Sequence, residues 1–226
     1  MKILHISDTH MCHNQLMIPD GIDTVIHSGD STNYQDPYKN EPEMHSFLLW
    51  FQRLKIPNRI MIAGNHDTSL ERGLIKKDYI ESLGITYLFN ETVEVEGLKI
   101  FGSPYTPTFG TGWAFNKSRA KINRVWDSIP EDTGIVVTHG PPRGILDTTY
   151  RRDNVTELCG DSSLLKRMLA IQPKLVCFGH IHNTRDIRNA GTTQVAGINT
   201  IFSNGSCCTD GKFGVLTSHG NVISLE

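Results

Sequence analysis

The chain has 226 residues, of which 38% are hydrophobic and 20% are charged, and its formal net charge is -2. These values are ordinary for a soluble globular protein, and we expect a single domain over residues 1–226. The small negative charge argues against a basic surface for extended nucleic acid, but it does not exclude a small nucleotide as a ligand.

Several features of the sequence bear on its location. No apolar run approaches the roughly 18 residues of a membrane span, and the N-terminus has too short an apolar stretch before Asp8 for a signal peptide. The five cysteines are odd in number and lack C-x-x-C spacing. This pattern favours reduced thiols and a cytoplasmic location. The sequence does not indicate an oligomeric state.

Short apolar segments that are typical of buried strands recur along the chain. In chain order they cover residues 2–6, 23–27, 59–63, 86–89, 92–95, 98–101, 135–138, 174–178, 193–195, 199–202, 214–217 and 222–225. Between them we predict four helices, which are capped by Asn40, lie around residues 72–83, follow Asn116, and are capped by Asp161. This alternation predicts an α/β fold.

Five of the apolar segments end in side chains that commonly bind metals. These side chains are, in chain order, Asp8 and His10, Asp30, Asn65 and His66, His139, and His180 and His182. In open α/β sheets, ligands bind beyond the carboxyl ends of the strands, where side chains are held rigidly. Taken singly, an aspartate could cap a turn, Asn65 could adopt a left-handed conformation, and His139 could be a loop residue. Taken together, five such strand ends predict a two-metal hydrolytic site.

The other five histidines are not expected to bind metal. His5 and His27 lie inside predicted strands and should be hydrogen-bonded core groups, whereas His13, His45 and His219 should lie in loops or at the surface. Metal ligands are therefore predicted only at the strand ends.

The strand-end motifs also resemble those of a known family. The motifs are Asp8-Thr9-His10, Gly29-Asp30, Gly64-Asn65-His66-Asp67, His139 and Gly179-His180-Ile181-His182. Their order and spacing resemble the five-block signature of the calcineurin-like metallophosphoesterases. Residues 102–107, 112–116 and 138–144 further resemble the brain-type metallophosphoesterase-domain subfamily. In some members of that group a glycine replaces one histidine of the last block, whereas His180 and His182 are both present here.

This resemblance implies a four-layer α/β/β/α sandwich, in which two mixed β-sheets are flanked by helices and the metal site lies at the C-terminal ends of strands. It also implies the ligand sets. Asp8, His10 and His182 would hold one metal, Asn65, His139 and His180 would hold the other, and Asp30 would bridge both.

A binuclear centre has a well-defined chemistry. Two cations roughly 3.5–4 Å apart activate a shared water near neutral pH and neutralise phosphoryl charge, so we expect a metal-bridging hydroxide to attack the phosphoester. Mixed imidazole, carboxylate and amide ligands suit divalent Mn, Fe, Zn, Ni or Co better than Mg or Ca, and we take manganese first. His66 is expected to protonate the leaving group or bind the phosphoryl group, unless it is a third metal ligand or a wall residue. Asp67 is expected to hold the His66 ring and raise its pKa.

The substrate is less well defined by the sequence. Asn116 and Arg143 are the candidate substrate-binding residues, Trp113 is expected to border the pocket, and Arg143 could equally be a solvated loop charge. No length is left for a cap domain, so an open site for small phosphodiesters or nucleotides, including cyclic nucleotides, is expected. A nuclease or phosphoprotein phosphatase could use the same site. A non-catalytic module on this fold should show eroded ligands, which is not the case here.

Overall fold

A computed structural model describes residues 1–184, 186–209 and 214–225. The strands are, in chain order, β1 Lys2–Ile6, β2 Thr24–His27, β3 Asn58–Met61, β4 Thr86–Tyr87, β5 Glu91–Val95, β6 Leu98–Ser103, β7 Thr106–Pro107, β8 Asn116–Lys117, β9 Ile135–Thr138, β10 Thr148–Tyr150, β11 Thr156–Leu158, β12 Leu175–Phe178, β13 Gly191–Gln194, β14 Ile201–Asn204 and β15 Asn221–Ser224. The α-helices are α1 Pro37–Gln52, α2 Thr68–Glu71, α3 Lys77–Ser82, α4 Arg119–Asp127 and α5 Ser162–Ile171, and a short 3₁₀ helix covers His13–Gln15.

Two mixed sheets contain most of the strands. The first sheet has the order β15-β1-β2-β3-β4, in which β1 to β4 are parallel and β15 runs antiparallel to β1. The second sheet has the order β13-β14-β12-β9-β6-β5, with a parallel centre and antiparallel strands at both edges. The pairs β7–β8 and β10–β11 form separate two-stranded sheets.

Alternating side chains of the central strands face different cores, because successive residues of a strand point to opposite faces. In β1, Ile3 belongs to the apolar cluster between the two sheets, whereas Leu4 packs with the residues of α1. In β9, Ile135 faces the first sheet, whereas Val136 packs with the residues of α4 and α5. Three apolar cores thus separate four layers, which confirms the predicted α/β/β/α sandwich of two mixed sheets flanked by helices.

Helix α1 begins earlier than predicted. Its N-cap is Asp36, whose carboxylate accepts a hydrogen bond from the N–H of Tyr38, and Pro37 occupies the first helical position, where its fixed φ is favourable. The predicted cap, Asn40, is instead buried inside the helix, and its amide donates to Thr32 Oγ1 and to the carbonyl oxygen of His66. The Asp-Pro start signal therefore outweighs the capping-box pattern further along.

Other element boundaries differ from the prediction in similar ways. The helix expected around residues 72–83 is shorter in the structure, where α3 covers Lys77–Ser82. The unpredicted helix α2 ends just before this range, and Gly73 between the two helices has a left-handed φ of 67°. Ser118, not Asn116, precedes α4, whereas Asp161 caps α5 as predicted. Residues 214–217 form no strand and contribute only an isolated bridge to Cys208. The hairpin of β10 and β11 was not predicted.

The histidines outside the strand ends agree with the prediction except at one position. His5 and His27 are fully buried, as predicted. His13 is also fully buried, and its ring packs 5.7 Å from that of Phe47 and 5.2 Å from that of Trp50. The loop that carries His13 lacks a hydrophobic period, so its packing against α1 was not visible in the sequence.

The cysteines and helices add two observations. None of the five cysteines forms a disulfide, and Cys177, Cys207 and Cys208 are buried. Cys207 and Cys208 follow β14 and pack in the apolar core of the first sheet. In the part of the chain that the structure describes, no helix is both long and apolar enough to cross a membrane.

Candidate metal centre

The polar strand ends of both sheets meet at one edge of the sandwich. Among the residues that the structure describes, ligand-type atoms form three groups. Within each group, all of these atoms lie within 4.8 Å of one another. The groups are Asp8, His10 and His182; His10, Asp30 and His66; and Asp30, His139 and His180. Asn65 joins the third group, because its Oδ1 lies 2.9 Å from Nε2 of His139. All seven predicted ligands and His66 therefore lie together.

The backbone turns sharply where several of these side chains leave their strands. Four of the candidate ligands have left-handed backbones, namely Asp8 at a φ of 49°, His10 at 40°, Asp30 at 58° and His180 at 68°. Residues other than glycine rarely adopt this conformation, which costs on the order of 1 kcal/mol or more for each residue and is concentrated at functional sites. The strain indicates that the fold is built to make these side chains converge.

Two glycines allow the backbone to approach the candidate ligands closely. A Cβ at Gly64 would lie 2.3 Å from Asp30 Oδ1, and a Cβ at Gly179 would lie 2.0 Å from Asp8 Oδ2. No side chain fits at either position. Gly64 is not among the residues with positive φ, so its contribution is the space that Asp30 occupies.

Asp8 connects the first sheet to the second. Its carboxylate accepts hydrogen bonds from the N–H of His180 at 2.9 Å and from Ser206 Oγ at 3.0 Å, and its Oδ1 lies 2.8 Å from Nε2 of His182. Burial alone would raise the pKa of Asp8, but His182 and the neighbouring histidines outweigh burial and hold that pKa well below its usual range. Asp8 is therefore ionised and fixed at the junction of the sheets.

Backbone carbonyl groups orient two of the histidine rings. Nδ1 of His10 lies 3.0 Å from the carbonyl oxygen of Thr32, and Nδ1 of His139 lies 2.8 Å from that of Ser28. A carbonyl oxygen can only accept, so Nδ1 carries the proton in each neutral ring and Nε2 presents a lone pair. This is the tautomer that a metal ligand requires.

Nε2 of His139 lies close to two side-chain oxygen atoms, which a nearby positive charge would stabilise. It is 2.9 Å from Asn65 Oδ1 and 3.3 Å from Asp30 Oδ2. Burial alone would lower the pKa of His139, but the carboxylates of Asp30 and Asp8 outweigh burial and raise it to about 9. The arrangement stabilises a positive charge at this point, and the nitrogen and oxygen donors fit a divalent transition metal as well as a proton. The residues present therefore fit the implied metals.

His66 lies at the border of this centre and is half-buried. Its backbone N–H donates to Asp30 Oδ1 at 2.7 Å, and its Nδ1 lies 3.1 Å from the carbonyl oxygen of Asn33. The ring stands edge-on to that of His10, with centroids 4.7 Å apart. Because Asn33 occupies Nδ1, Nε2 is the atom that can act within the centre.

Asp67 does not hydrogen-bond to the His66 ring, so the prediction that Asp67 holds this ring is wrong. Its carboxylate instead accepts hydrogen bonds from the N–H groups of Gly64, Asp30 and Ser31 at 2.7, 3.0 and 3.1 Å, and from the hydroxyls of Ser31 and Thr32 at 2.9 Å each. Burial and the Asp30 charge raise the pKa of Asp67 to about 6, against these hydrogen bonds. Asp67 ties the turn after β3 to the turn after β2 and thereby fixes Asp30.

Asn116 and Arg143 are engaged in hydrogen bonds within loops. The Asn116 amide donates to the carbonyl oxygen of Ala114 at 2.8 Å and accepts from the N–H of Phe109 at 3.3 Å. The Arg143 guanidinium donates to the carbonyl oxygen of Leu158 at 2.8 Å. Their part in substrate binding stays a prediction.

Sequence reasoning missed one neighbour of the centre, Phe109. Its ring centroid lies 4.9 Å from that of His180, and the ring of Trp113 lies 4.4 Å from that of His66. The available signal was two aromatic residues separated by small ones in a loop between two short strands. Loop patterns do not reveal what a loop covers, so only the structure places these rings.

Comparisons with known proteins agree with this geometry. Residues 1–184 match the family described as Calcineurin-like phosphoesterase. The chain is 33% identical to the human Metallophosphoesterase domain-containing protein 1 over an alignment of 232 residues. This alignment covers 92% of this chain and 66% of the relative. It is also 32% identical to a UPF0046 protein of Caenorhabditis elegans over an alignment of 226 residues, and this alignment covers 94% of this chain and 71% of that relative.

A solved structure that is 14% identical in sequence superposes on this chain with a TM-score of 0.63. The superposition covers 90% of this chain and 89% of the other, and it shows a similar fold. The chain spans just under two thirds of the length of the human relative, since 66% of that protein is covered. The family match extends from the first strand through the last candidate ligand, His182. The chain therefore belongs to the calcineurin-like phosphoesterases, a family of hydrolases that use divalent metals to act on phosphoesters.

Proposed function

We propose that this protein is a phosphodiesterase that hydrolyses small phosphodiesters or nucleotides, cyclic nucleotides included, with two divalent transition-metal ions, manganese first among them. Membership of the family supports phosphoester hydrolysis. The observation that carries the proposal is that the groups of ligand-type atoms overlap, since His10 belongs to the first and second groups and Asp30 to the second and third. Two adjacent cation positions would therefore lie side by side, with His66 at their border.

Each cation has its own ligand set in this proposal. Asp8, His10 and His182 would hold one ion, Asn65, His139 and His180 would hold the other, and Asp30 would be shared between the two sets. When bound, such a pair activates a water near neutral pH and neutralises charge on the phosphoryl group. The protein itself supplies fixed ligands, since Asp67 holds the turn of Asp30 and the Thr32 carbonyl sets the tautomer of His10.

His66 gives a proton to the leaving oxygen in this mechanism. The Asn33 carbonyl holds Nδ1, so Nε2 can deliver the proton, and the hydrogen bond to Asp30 keeps the His66 backbone against the shared carboxylate. Proton transfer of this kind contributes roughly 10²–10⁴-fold to a rate. The competing role, a third metal ligand, is favoured by the proximity of His66 to His10 and Asp30.

Small substrates are favoured over extended nucleic acid. His66 and His180 are only partly buried, so the centre is accessible to solvent. A nuclease needs a track of lysine and arginine along its substrate, and the net charge of -2 provides no excess of positive charge. A cytoplasmic location is also part of the proposal, and it is supported by the five unpaired thiols.

The first test is reconstitution with Mn²⁺ followed by assay with bis-p-nitrophenyl phosphate. We expect two metal ions per chain and a hydrolysis rate that EDTA abolishes. Two bound ions without hydrolysis would contradict the proposal. A panel of cyclic nucleotides, mononucleotides, short oligonucleotides and phosphopeptides, with product identification, then separates a phosphodiesterase from a nuclease or a phosphoprotein phosphatase.

A further inference from the structure

An aromatic loop borders the metal centre. Residues 108–115 join β7 to β8 and carry Phe109 and Trp113. The Phe109 ring lies 4.9 Å from that of His180, the Trp113 ring lies 4.4 Å from that of His66, and the two aromatic rings stack 6.0 Å apart with an interplanar angle of 30°. The pair therefore extends from a candidate ligand of the second sheet to the proposed acid of the first.

The backbone of the centre itself fixes this loop. The N–H of Ala114 donates to the carbonyl oxygen of Asn65 at 3.0 Å. Asn116 closes the loop, because its amide accepts from the N–H of Phe109 and donates to the carbonyl oxygen of Ala114. The positions of both rings thus depend on a candidate metal ligand, and Asn116 acts on the site through the loop.

The rings are accessible to a ligand. Phe109 is 50% exposed, and Trp113 is partly buried. A Cβ at Gly110 would lie only 3.2 Å from the Trp113 indole, so the loop backbone covers one edge of that ring. Two aromatic side chains held in place beside a catalytic centre, and open to solvent, form a ready surface for stacking a planar group.

A cleft continues from Trp113 away from the metal centre. It has a volume of about 370 Å³, and its lining includes Gln35, Asp36, Pro37, Thr68, Arg72 and Trp113. Small-molecule sites commonly occupy roughly 300–1,000 Å³. The amide, carboxylate and guanidinium groups offer donors and acceptors to the edge of a heterocycle, while the indole and the proline offer flat apolar walls.

We propose that Trp113 and Phe109 form the stacking surface for a planar base on the leaving-group side of the substrate, and that the adjoining cleft receives this base. This rests on the proposed function, which places the phosphoryl group at the metals and His66 at the leaving oxygen. The group attached to that oxygen must then lie beside His66 and within reach of Trp113. The enzyme accordingly selects phosphoesters of nucleosides over those that lack a base.

Equilibrium binding to the Mn²⁺-loaded protein tests this selection. Calorimetry compares the hydrolysis-resistant phosphonate analogues of AMP and of ribose 5-phosphate, which differ only in the base. We expect the AMP analogue to bind about tenfold more tightly, the scale of one base stacked on an aromatic ring. Trp113→Leu should bring its Kd to that of the ribose analogue and leave the latter unchanged within about twofold.

Two variants make the result specific. Trp113→Phe keeps an aromatic plane and should retain most of the preference for the base, and Tyr79→Leu, which removes a 38% exposed aromatic residue of α3 that packs on His45, should retain all of it. Equal affinity of the wild type for both analogues, or an equal loss of both in Trp113→Leu, would overturn the inference. Such a result together with hydrolysis of bis-p-nitrophenyl phosphate would leave the proposed function intact, whereas the absence of that hydrolysis would refute the function itself.

Discussion

The two sheets bring different chemistry to the edge that they share. The first sheet supplies Asp8, His10, Asp30, Asn65 and His66, and the second supplies His139, His180 and His182. Both carboxylates therefore come from one sheet, and the other contributes imidazoles alone. In the proposed ligand sets neither sheet is sufficient by itself, so binding of the proposed metals would require the two sheets to be packed together and would stabilise that packing in return.

The sheets also hold their side chains differently. On the first sheet the ligand turns are tied to one another, since Asp67 binds the N–H groups of Gly64 and Asp30. On the second sheet the ligands are linked across the interface, as by the hydrogen bond from the N–H of His180 to Asp8. A change at Asp30 should therefore disturb both metals, whereas a change to one second-sheet imidazole should disturb only one.

Asp30→Asn should have the largest effect, because it removes the carboxylate that both cations share. We expect fewer than one metal ion per chain. Turnover should fall by more than roughly 100-fold, because roughly 100-fold is the largest loss typical of residues that only orient a ligand. His182→Gln should instead leave about one ion, and Asp78→Asn, at an exposed site on α3, should leave two. Metal analysis by mass spectrometry and assay at saturating Mn²⁺ measure these values, and two ions in Asp30→Asn would refute the bridging role.

His66→Gln separates proton transfer from metal binding on the first sheet. Loss of a general acid should lower turnover by roughly 10²–10⁴-fold, while both metal ions remain bound. The measurement is the metal content of the variant alongside its rate on bis-p-nitrophenyl phosphate. If one metal ion is lost together with activity, His66 is a ligand, as its distance to His10 and Asp30 also allows.

The sequence predicts best those features that depend on a short local pattern of residues. The strand at 135–138 was found because Ile135 and Val136 are apolar on both faces of a parallel sheet, which gives a continuous apolar run. The candidate ligands were found because each follows such a strand, and parallel strands place their carboxyl ends at a common edge. For the candidate ligands, the place in the sequence therefore largely determines the place in the fold.

The remaining features depend on directions and contacts that the sequence does not encode locally. Asp67 is adjacent to His66 but points to the opposite turn, because a tight turn rotates successive side chains apart. The hairpin of β10 and β11 was missed because its residues are largely exposed and carry no apolar alternation. The aromatic loop was missed in part because its packing partner, His180, lies about seventy residues away along the chain and loop sequences do not fix such contacts.

Asp67→Asn should weaken the first-sheet network without removing a ligand. Its amide would place N–H groups against donors such as the N–H of Ser31, and each buried donor left unpaired costs roughly 1–3 kcal/mol. We expect lower stability and a metal affinity reduced roughly 10–100-fold, as for residues that orient ligands. The matched control is Asp161→Asn, a buried N-cap outside the centre, which should lose stability in denaturant titrations but keep its metal affinity. Unchanged metal affinity in Asp67→Asn would show that the turns hold Asp30 unaided.

His5 offers the mildest test of how the two sheets are joined. Its Nδ1 lies 2.7 Å from Ser203 Oγ on the second sheet and its Nε2 lies 2.9 Å from Ser28 Oγ after β2 on the first. Burial lowers the pKa of His5 to about 3, with Asp8 opposing the shift, whereas the unfolded chain titrates near 6.5. The unfolded state therefore takes up the proton first, and stability that is fully present above pH 6.5 is lost as the pH falls toward 3.

At pH 5.5, one unit below the pKa of His5 in the unfolded chain, the free energy of unfolding is lower by about 1.4 kcal/mol. In metal-free protein, the fall in unfolding free energy between pH 7.5 and 5.5 should thus be smaller by about that amount in His5→Gln than in the wild type. Urea titrations at the two pH values measure it, and His45→Gln, at a side chain that is 40% exposed, serves as the control. A slope identical to that of the wild type would mean that the proton is accommodated between the sheets, and that their junction is looser than the short contacts of His5 indicate.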